Sequence, residues 1–557
     1  MIIERTKYRQ FLKEELQKQT DDFTQKLDSS AIDLLLDKNE MFVAIFIKFD
    51  NGEMILKFST NRPLPRKNDF LYCFTLPETL RRYKDWGNRT YGDLIKCQTQ
   101  ATEVKCIWHS KSNNPKFLLA GFRGVSEEFK KYVEKAPGGV ITLGPKVPPF
   151  EYLANLEKIT HSFHHKCNQI LDAEYSTLTW APILLDSSCV LHDRILNDYS
   201  NSDVVILQGP PGTGKTTRIA SLCEFLCKQN KSVLVTALTN RALIEVAGKL
   251  TQSPLMTTGK IYKTNLSTDE VREYPKIQSA EKVHAIPGAL MLSTFYISSG
   301  AAANNYEEPL FDYVIVDEAS QAFLPMLAAA NMLGYKNLWV GDVHQMPPIA
   351  ELPKDRISKM GYAPIVDGFD TITASDRYMT YQLSDSFRLG ERAVRFTGIF
   401  YNNSLVSKSK LNGLFKTVDG PILMSMKMPK GDPKPLCALE KAISLASDLM
   451  SKTPKLRIAI LSHLTKTTQA LQMEVAKQIG ISKNILVDTV ARVQGLTTDV
   501  TIYVIPDTDA KLYSLELRLF NVATSRAEQN TYIICPDNIL SFSYMSTEVR
   551  KYLSQLI

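Results

Sequence analysis

The chain contains no C-x-x-C pair, and its nine cysteines are scattered at Cys73, Cys97, Cys106, Cys167, Cys189, Cys223, Cys227, Cys437 and Cys535. An odd number without a repeating framework argues against a disulfide-stapled secreted domain, so a reducing, cytoplasmic setting is expected. Zinc-ligand spacing is also missing. Cys223 and Cys227 stand one helical turn apart and read as core packing, and the group His161, His164, His165 and Cys167 has no second ligand pair and reads as a surface helix. No apolar run is long enough to span a bilayer, so no membrane partner is expected. The first residues, MIIERTKYRQFLKEELQKQ, carry acids and no apolar core of their own, so no signal peptide is expected. There is no internal repeat, which excludes a solenoid, and no low-complexity tract. Nor is there a large excess of one charge: 66 basic against 59 acidic residues leave +7 over 557 residues. That mild basicity is compatible with a polyanionic partner without demanding one.

What the chain does have is the run VVILQGPPGTGKTTRIA, residues 204–220. Its β-branched start reads as a buried strand, and a glycine-rich turn and an apolar-periodic helix start follow. This is G-x-x-x-x-G-K-[ST] in its strand–loop–helix setting. Gly209, Pro210, Pro211, Gly212, Thr213 and Gly214 would cradle a polyphosphate with their backbone, and Thr217 closes the motif. Lys215 is placed to reach the β- and γ-phosphates, and the Thr216 hydroxyl to hold Mg²⁺. The new helix points its positive end at the anion. A bound nucleoside triphosphate is expected.

Two further strand ends carry chemistry. FDYVIVDEASQ, residues 311–321, is an apolar strand that ends in Asp317 and Glu318. Carboxylates at a strand's carboxyl end lie where open α/β sheets bind ligands. Asp317 suits Mg²⁺, and Glu318 the positioning or deprotonation of an attacking water. In LWVGDVHQMPP, residues 338–348, Gln345 follows a strand closely enough to sense a γ-phosphate.

The rest of the chain falls into blocks. Residues 4–38 read as one long helix, and residues 41–58 as a hairpin turning at Asp50-Asn51-Gly52. Strand-like runs at 70–75, 94–98, 104–108 and 117–122 suggest a small β-barrel. Helical character returns at 126–134 and 151–170. From residue 204 strands alternate with helices (233–236, 289–293, 313–316, 338–341), and a second such series follows at 458–462, 485–488, 500–505 and 531–535. The polar stretch 251–287 reads as an exposed excursion.

Taken in order, these motifs resemble the superfamily 1 helicases, and within them the superfamily 1B, Upf-like branch. GPPGTGKT matches motif I, VTALTNRA (235–242) motif Ia, LSTF (292–295) the next backbone-contacting motif, VDEASQ motif II and GDVHQMPP motif III. LSDSFRLG (383–390) resembles motif IV, VDTVARVQGLTTD (487–499) motif V, and NVATSRAE (521–528) motif VI. The resemblance implies two tandem RecA-like doubly wound α/β domains, with an N-terminal small β-barrel on stalk helices. It implies boundaries at 1–40 for a stalk helix, 41–145 for the barrel, 146–180 for a return stalk, 181–375 for the first RecA-like domain and 376–557 for the second.

It further implies ATP and Mg²⁺ as cofactors and 5′→3′ movement on single-stranded nucleic acid, either DNA or RNA. Phe387 is implied as an adenine-stacking aromatic, and Arg388 and Arg526, both expected in the second unit, as phosphate-directed arginines. Thr239, Asn240, Ser293, Thr294 and Thr489 are implied as backbone contacts to the strand. The barrel would guide strand or duplex through basic residues such as Arg81, Arg82 and Lys84, the alternative being a protein partner bound there. The rival functions are an ATPase that remodels complexes without unwinding and a nucleotide-gated binding module. Departures from the family pattern are Ala491 and Thr497 where motif V carries acids, Ser386 where motif IV carries a glutamine, and no glutamine in residues 180–201. Loose selection of sugar and base is the expected result.

Overall fold

Apolar alternation over Phe42–Asp50 and Glu53–Ser59, with Asn51-Gly52 between, makes the hairpin β1–β2, in which Asp50 pairs with Glu53. The computed structural model describes every residue except 29–31, 63, 68, 81, 136–137, 177–181, 305–306, 376, 412–413, 415–417, 481–483, 494 and 509–513. Four more antiparallel strands, β3 (Phe70–Thr75), β4 (Gln100–Lys111), β5 (Phe117–Arg123) and β6 (Val140–Gly144), join the hairpin in the order β1-β2-β5-β4-β3-β6 and close a barrel. Phe46, Leu56, Phe58, Cys73, Cys106 and Phe122 fill it. The strand expected at 94–98 is instead the end of a helix, Tyr91–Lys96. Thr90 and Asp93 explain this: their side chains bond reciprocally to each other's backbone N–H, a capping box that starts a helix where apolarity alone suggested a strand. Arg82 and Lys84 are exposed, and Arg81 lies outside the described residues.

A second sheet has nine strands, all parallel. They are β7 (Ile183–Leu185), β8 (Val204–Gln208), β9 (Val233–Ala237), β10 (Ile261–Thr264), β11 (Gln278–Ala280), β12 (Leu290–Thr294), β13 (Phe311–Val316), β14 (Gly334–Gly341) and β15 (Met379–Leu383). The order is β11-β10-β12-β9-β13-β14-β8-β15-β7. β8, β9 and β12 are buried at every position, as strands covered by helices on both faces must be. The stretch 251–287 is therefore no exposed excursion: β10 and β11 extend this sheet. Within β10, Lys263 is fully buried with its ammonium donating to Asn240 Oδ1 (2.9 Å), Glu270 Oε2 (3.1 Å) and the carbonyls of Thr264 and Asn265 (both 3.3 Å). Two short strands, β16 (Asp385–Ser386) and β17 (Val406–Ser407), follow. A last parallel sheet comprises β18 (Gly420–Met426), β19 (Ile458–Ser462), β20 (Ile485–Thr489), β21 (Thr498–Val504) and β22 (Ala527–Pro536), in the order β18-β22-β21-β19-β20.

The chain divides into two compact units. The first holds Met1–Thr20, Pro149–Asn412 and Lys416–Asp419, and the second Asp21–Pro148, Gly413–Phe415 and Gly420–Ile557. Two expectations change. The boundary placed at 375/376 moves past residue 408, because β15 hydrogen-bonds to β8 and so belongs to the nine-stranded sheet. The barrel is not a body of its own: it shares the second unit with the five-stranded sheet, and Ala476 from the helix Thr465–Gln478 packs in the barrel's apolar cluster.

The long N-terminal helix stops at Asp28 and a shorter one, Ile32–Asp37, follows. The helical stretch expected at 151–170 is likewise two helices, Glu151–Ile159 and His165–Leu171. Within the first unit, Phe11 meets Phe323 edge-on at 5.3 Å and Tyr362 at 5.4 Å. The buried Glu15 accepts from the backbone N–H groups of Glu351 (2.7 Å) and Leu352 (3.0 Å). Among the described residues no helix is long and apolar enough to cross a membrane. Since Phe11 is fully buried between two rings, Phe11→Ala should destabilise the protein by about 3–5 kcal/mol, read as a lower urea midpoint.

Candidate functional site

The turn from β8 into the helix Lys215–Lys228 wraps an anion site from backbone. Gly212 and Gly214 sit at φ +76° and +79°, which turns successive N–H groups to one side. Gly209 is needed for another reason: a Cβ there would lie 2.2 Å from Lys215 Cγ. The lysine stem lies back across the turn, and its ammonium donates to the Gly209 carbonyl. Thr213 is buried and donates to Pro210 O at 2.8 Å, while Thr216 is half-buried and Thr217 exposed at the start of the helix.

A segment distant in sequence clasps this turn. Phe387 N donates to Gly212 O at 2.8 Å and Ser386 Oγ donates to Pro211 O at 3.1 Å. Ser386, the departure from the family's glutamine, thus braces the turn directly. The Ser386 carbonyl also accepts from Lys408 N at 2.8 Å, next to β17. A Cβ on Gly212 would stand 2.5 Å from Arg388 Cβ and 2.7 Å from Ser386 Oγ. Arg388 therefore lies against the phosphate turn and belongs to the first unit, not to the second as expected. The Phe387 ring, just over half exposed at 51%, is open for stacking.

Asp317 and Glu318 end β13. Asp317 is buried, its carboxylate accepting from Glu318 N at 2.9 Å, and burial pushes its pKa up to about 6 against the opposing pull of Lys215. Glu318 is raised to about 7 by burial and then by the Asp317 charge, while Lys215 acts to lower it. The three side chains therefore act on one another electrostatically. Glu318 also holds a left-handed backbone, φ +54°, a conformation that costs a non-glycine residue on the order of 1 kcal/mol. Arg241 and Glu245, on the helix Asn240–Lys249, act on the same carboxylate, Arg241 from within the VTALTNRA run and Glu245 from beyond it.

Gln345 is buried and tethered: its Nε2 donates to Asp342 Oδ2 at 2.8 Å, and Tyr401 OH donates to the same oxygen at 2.7 Å. Asp342 and Tyr401 were not singled out from the sequence. Asp342 stands in the GDVHQ run, whereas Tyr401 comes from 59 residues away and no local pattern could mark it.

The residues implied as strand contacts fare differently. Thr239 is exposed and caps the helix Asn240–Lys249, its hydroxyl accepting from Ala242 N at 3.2 Å. Asn240 accepts from the buried Lys263. Ser293 is fully buried and accepts from Thr264 Oγ1 at 3.0 Å, and Thr294, at the next helix start, is nearly as buried. These bonds make Ser293 a brace between β10 and β12. In the second unit, Thr489 ends β20, where its N–H donates to Asp488 Oδ1 at 2.7 Å. Arg526 is almost wholly buried at the end of the helix Leu517–Thr524 and donates to Val522 O at 2.9 Å and Ser525 Oγ at 3.3 Å.

Residues 192–351 match the AAA domain family, a span that contains the phosphate turn, Asp317, Glu318 and Gln345. The chain is 32% identical over 153 residues to the DNA replication ATP-dependent helicase/nuclease DNA2 of Saccharomyces cerevisiae, 27% of this chain and 10% of that protein. To the protein of the same name from Gallus gallus it is 24% identical over 366 residues, 60% of this chain and 34% of that one. The chain thus spans between 10% and 34% of the length of these two relatives. A solved arterivirus nonstructural protein 10 helicase with DNA is 16% identical, with 63% of this chain and 64% of that chain covered at a TM-score of 0.37. Helicases recur among these relatives, and the matched AAA domain contains the phosphate turn, Asp317, Glu318 and Gln345.

Proposed function

We propose that the protein is an ATP-dependent helicase or translocase of the Upf-like branch, moving 5′→3′ along single-stranded nucleic acid. The observation that carries this reading is the mutual electrostatics of Lys215, Asp317 and Glu318 at one sheet edge, beside a turn built for phosphate. The names of the relatives favour DNA as the strand. Nine unpaired cysteines favour a reducing, cytoplasmic compartment.

Each residue then has a task. The Gly209–Thr217 turn binds the phosphates through backbone N–H groups, and Lys215 exchanges the Gly209 carbonyl for phosphate oxygens. Thr216 and Asp317 offer hard oxygen donors and would hold Mg²⁺, an ion that commonly takes one or two protein ligands beside substrate phosphates. When bound, the ion neutralises charge on the phosphate oxygens. Glu318 takes a proton from the attacking water; its pKa near 7 suits a base that works at neutral pH. Gln345, held by Asp342 and Tyr401, senses the γ-phosphate. Phe387 stacks on the base, and Arg388 and Arg526 stabilise charge on the transferring phosphoryl group. Thr239, Asn240, Thr294 and Thr489 offer short polar groups to the strand's phosphates.

The direct test is ATP turnover with matched single-stranded DNA and RNA, followed by displacement of a strand from a tailed duplex. Turnover that neither strand raises would overturn the reading. Lys215→Ala should lose both ATP affinity and turnover, whereas Glu318→Gln should keep affinity and lose turnover by about 100-fold or more, leaving a complex that retains ATP. Gly212→Ala should weaken binding of a fluorescent ATP analogue, since the new Cβ collides with Ser386 and Arg388. Arg388→Ala and Arg526→Ala should each cut turnover by about 10³-fold with little change in ATP affinity, because arginines of this kind act on transition-state charge.

A further inference from the structure

Within the second unit the connection from β2 to β3 leaves the barrel and meets the five-stranded sheet. It is braced from the barrel side. Leu64 is buried in the barrel's apolar cluster. His109, on β4, is buried and its pKa is lowered to about 3, so the ring is neutral and donates from Nε2 to Pro65 O at 2.7 Å. The Asp69 carbonyl accepts from Cys106 N at 3.0 Å. On the other side, Lys67 Nζ donates to Ile485 O at 3.2 Å, at the start of β20, and Asp69 forms an ion pair with Arg492, three residues beyond Thr489. Arg66 and Asp488 add charges of opposite sign to the same group. Two more bonds lie along the helix Thr465–Gln478: Lys111 Nζ donates to Gln478 O at 3.0 Å, and Asn39 Nδ2 to Gln469 Oε1. Gln472, from that helix, secures β20 by donating to Val487 O at 2.9 Å.

One half-exposed ion pair would contribute little on its own. Here it is the last of a row of contacts that already hold the barrel to β20 and its neighbouring helix, so little ordering remains to oppose it. We propose that this connection is a latch: Asp69, through Arg492, positions the turn after β20 that carries Thr489, so that the barrel and the five-stranded sheet move as one body. Asp69 is a positioning residue and touches neither nucleotide nor strand. The role given to Thr489 rests on the function proposed above; the joining of barrel and sheet does not.

Hydrogen–deuterium exchange on the full chain tests the joining without reference to activity. Asp69→Asn should speed amide exchange in residues 488–492 as well as in residues 64–67, and the swapped pair Asp69→Arg with Arg492→Asp should restore protection of both. Unchanged exchange at 488–492 in Asp69→Asn, or a swap that restores nothing, would overturn the latch. The second readout is fluorescence anisotropy of a labelled 20-nucleotide single strand, with ATP turnover measured alongside. Asp69→Asn should bind the strand about fivefold more weakly, a loss of the size an ion pair can carry, and the swap should recover it. Strand-free turnover should stay at the parent level. Parent-level strand affinity in Asp69→Asn would overturn the positioning of Thr489. A parent protein that binds no strand would instead overturn the helicase reading, and the exchange experiment would still decide the latch.

Discussion

All nine strands of the first unit's sheet run in one direction, so every turn at their carboxyl ends opens on the same edge. That polarity gathers residues far apart in sequence: the phosphate turn after β8, the acids after β13, Gln345 after β14 and Arg388 after β15. No antiparallel sheet would do this, since alternate turns would face opposite edges. Parallel strands also demand helical crossovers, and these bury both faces of the sheet. The same arrangement that gathers these four turns buries the strand ends behind them, and the raised pKa of the buried Asp317 follows from that.

In such surroundings two adjacent carboxylates are costly. Asp317 and Glu318 are both pushed toward their neutral forms, and only Lys215 among the phosphate-turn side chains opposes this. Glu318 sits in a left-handed conformation, and Asp317 accepts from a neighbouring N–H.

Much of this was legible in the chain. The phosphate turn, the acids at a strand end and most of the inner strands follow from apolar runs bounded by glycine or acid. What was hidden has physical reasons. β10 escaped notice because its buried Lys263 looks like a surface residue until its four acceptors are known. Spacing alone puts Arg388 with the second unit, because it reveals that a strand exists but not which sheet it joins. The helix Tyr91–Lys96 was read as a strand because a reciprocal cap outweighed an apolar pattern. Ser293 matches a motif, and its hydroxyl also accepts from Thr264, a contact between strands that no local pattern marks. Asp342 and Tyr401 show the remaining limit: a contact across 59 residues leaves no trace in any window of sequence.

Ser386 donates to the phosphate turn with its side chain and accepts with its carbonyl from Lys408, near the end of the first unit's long segment. That part of the segment and the nucleotide turn are thus coupled in series through one residue. A change of length between Ser386 and Lys408 would shift the register of that coupling and drag on Pro211. Insertions and deletions acquired over evolution should therefore collect after residue 408, where slack in the chain is not passed back to the phosphates.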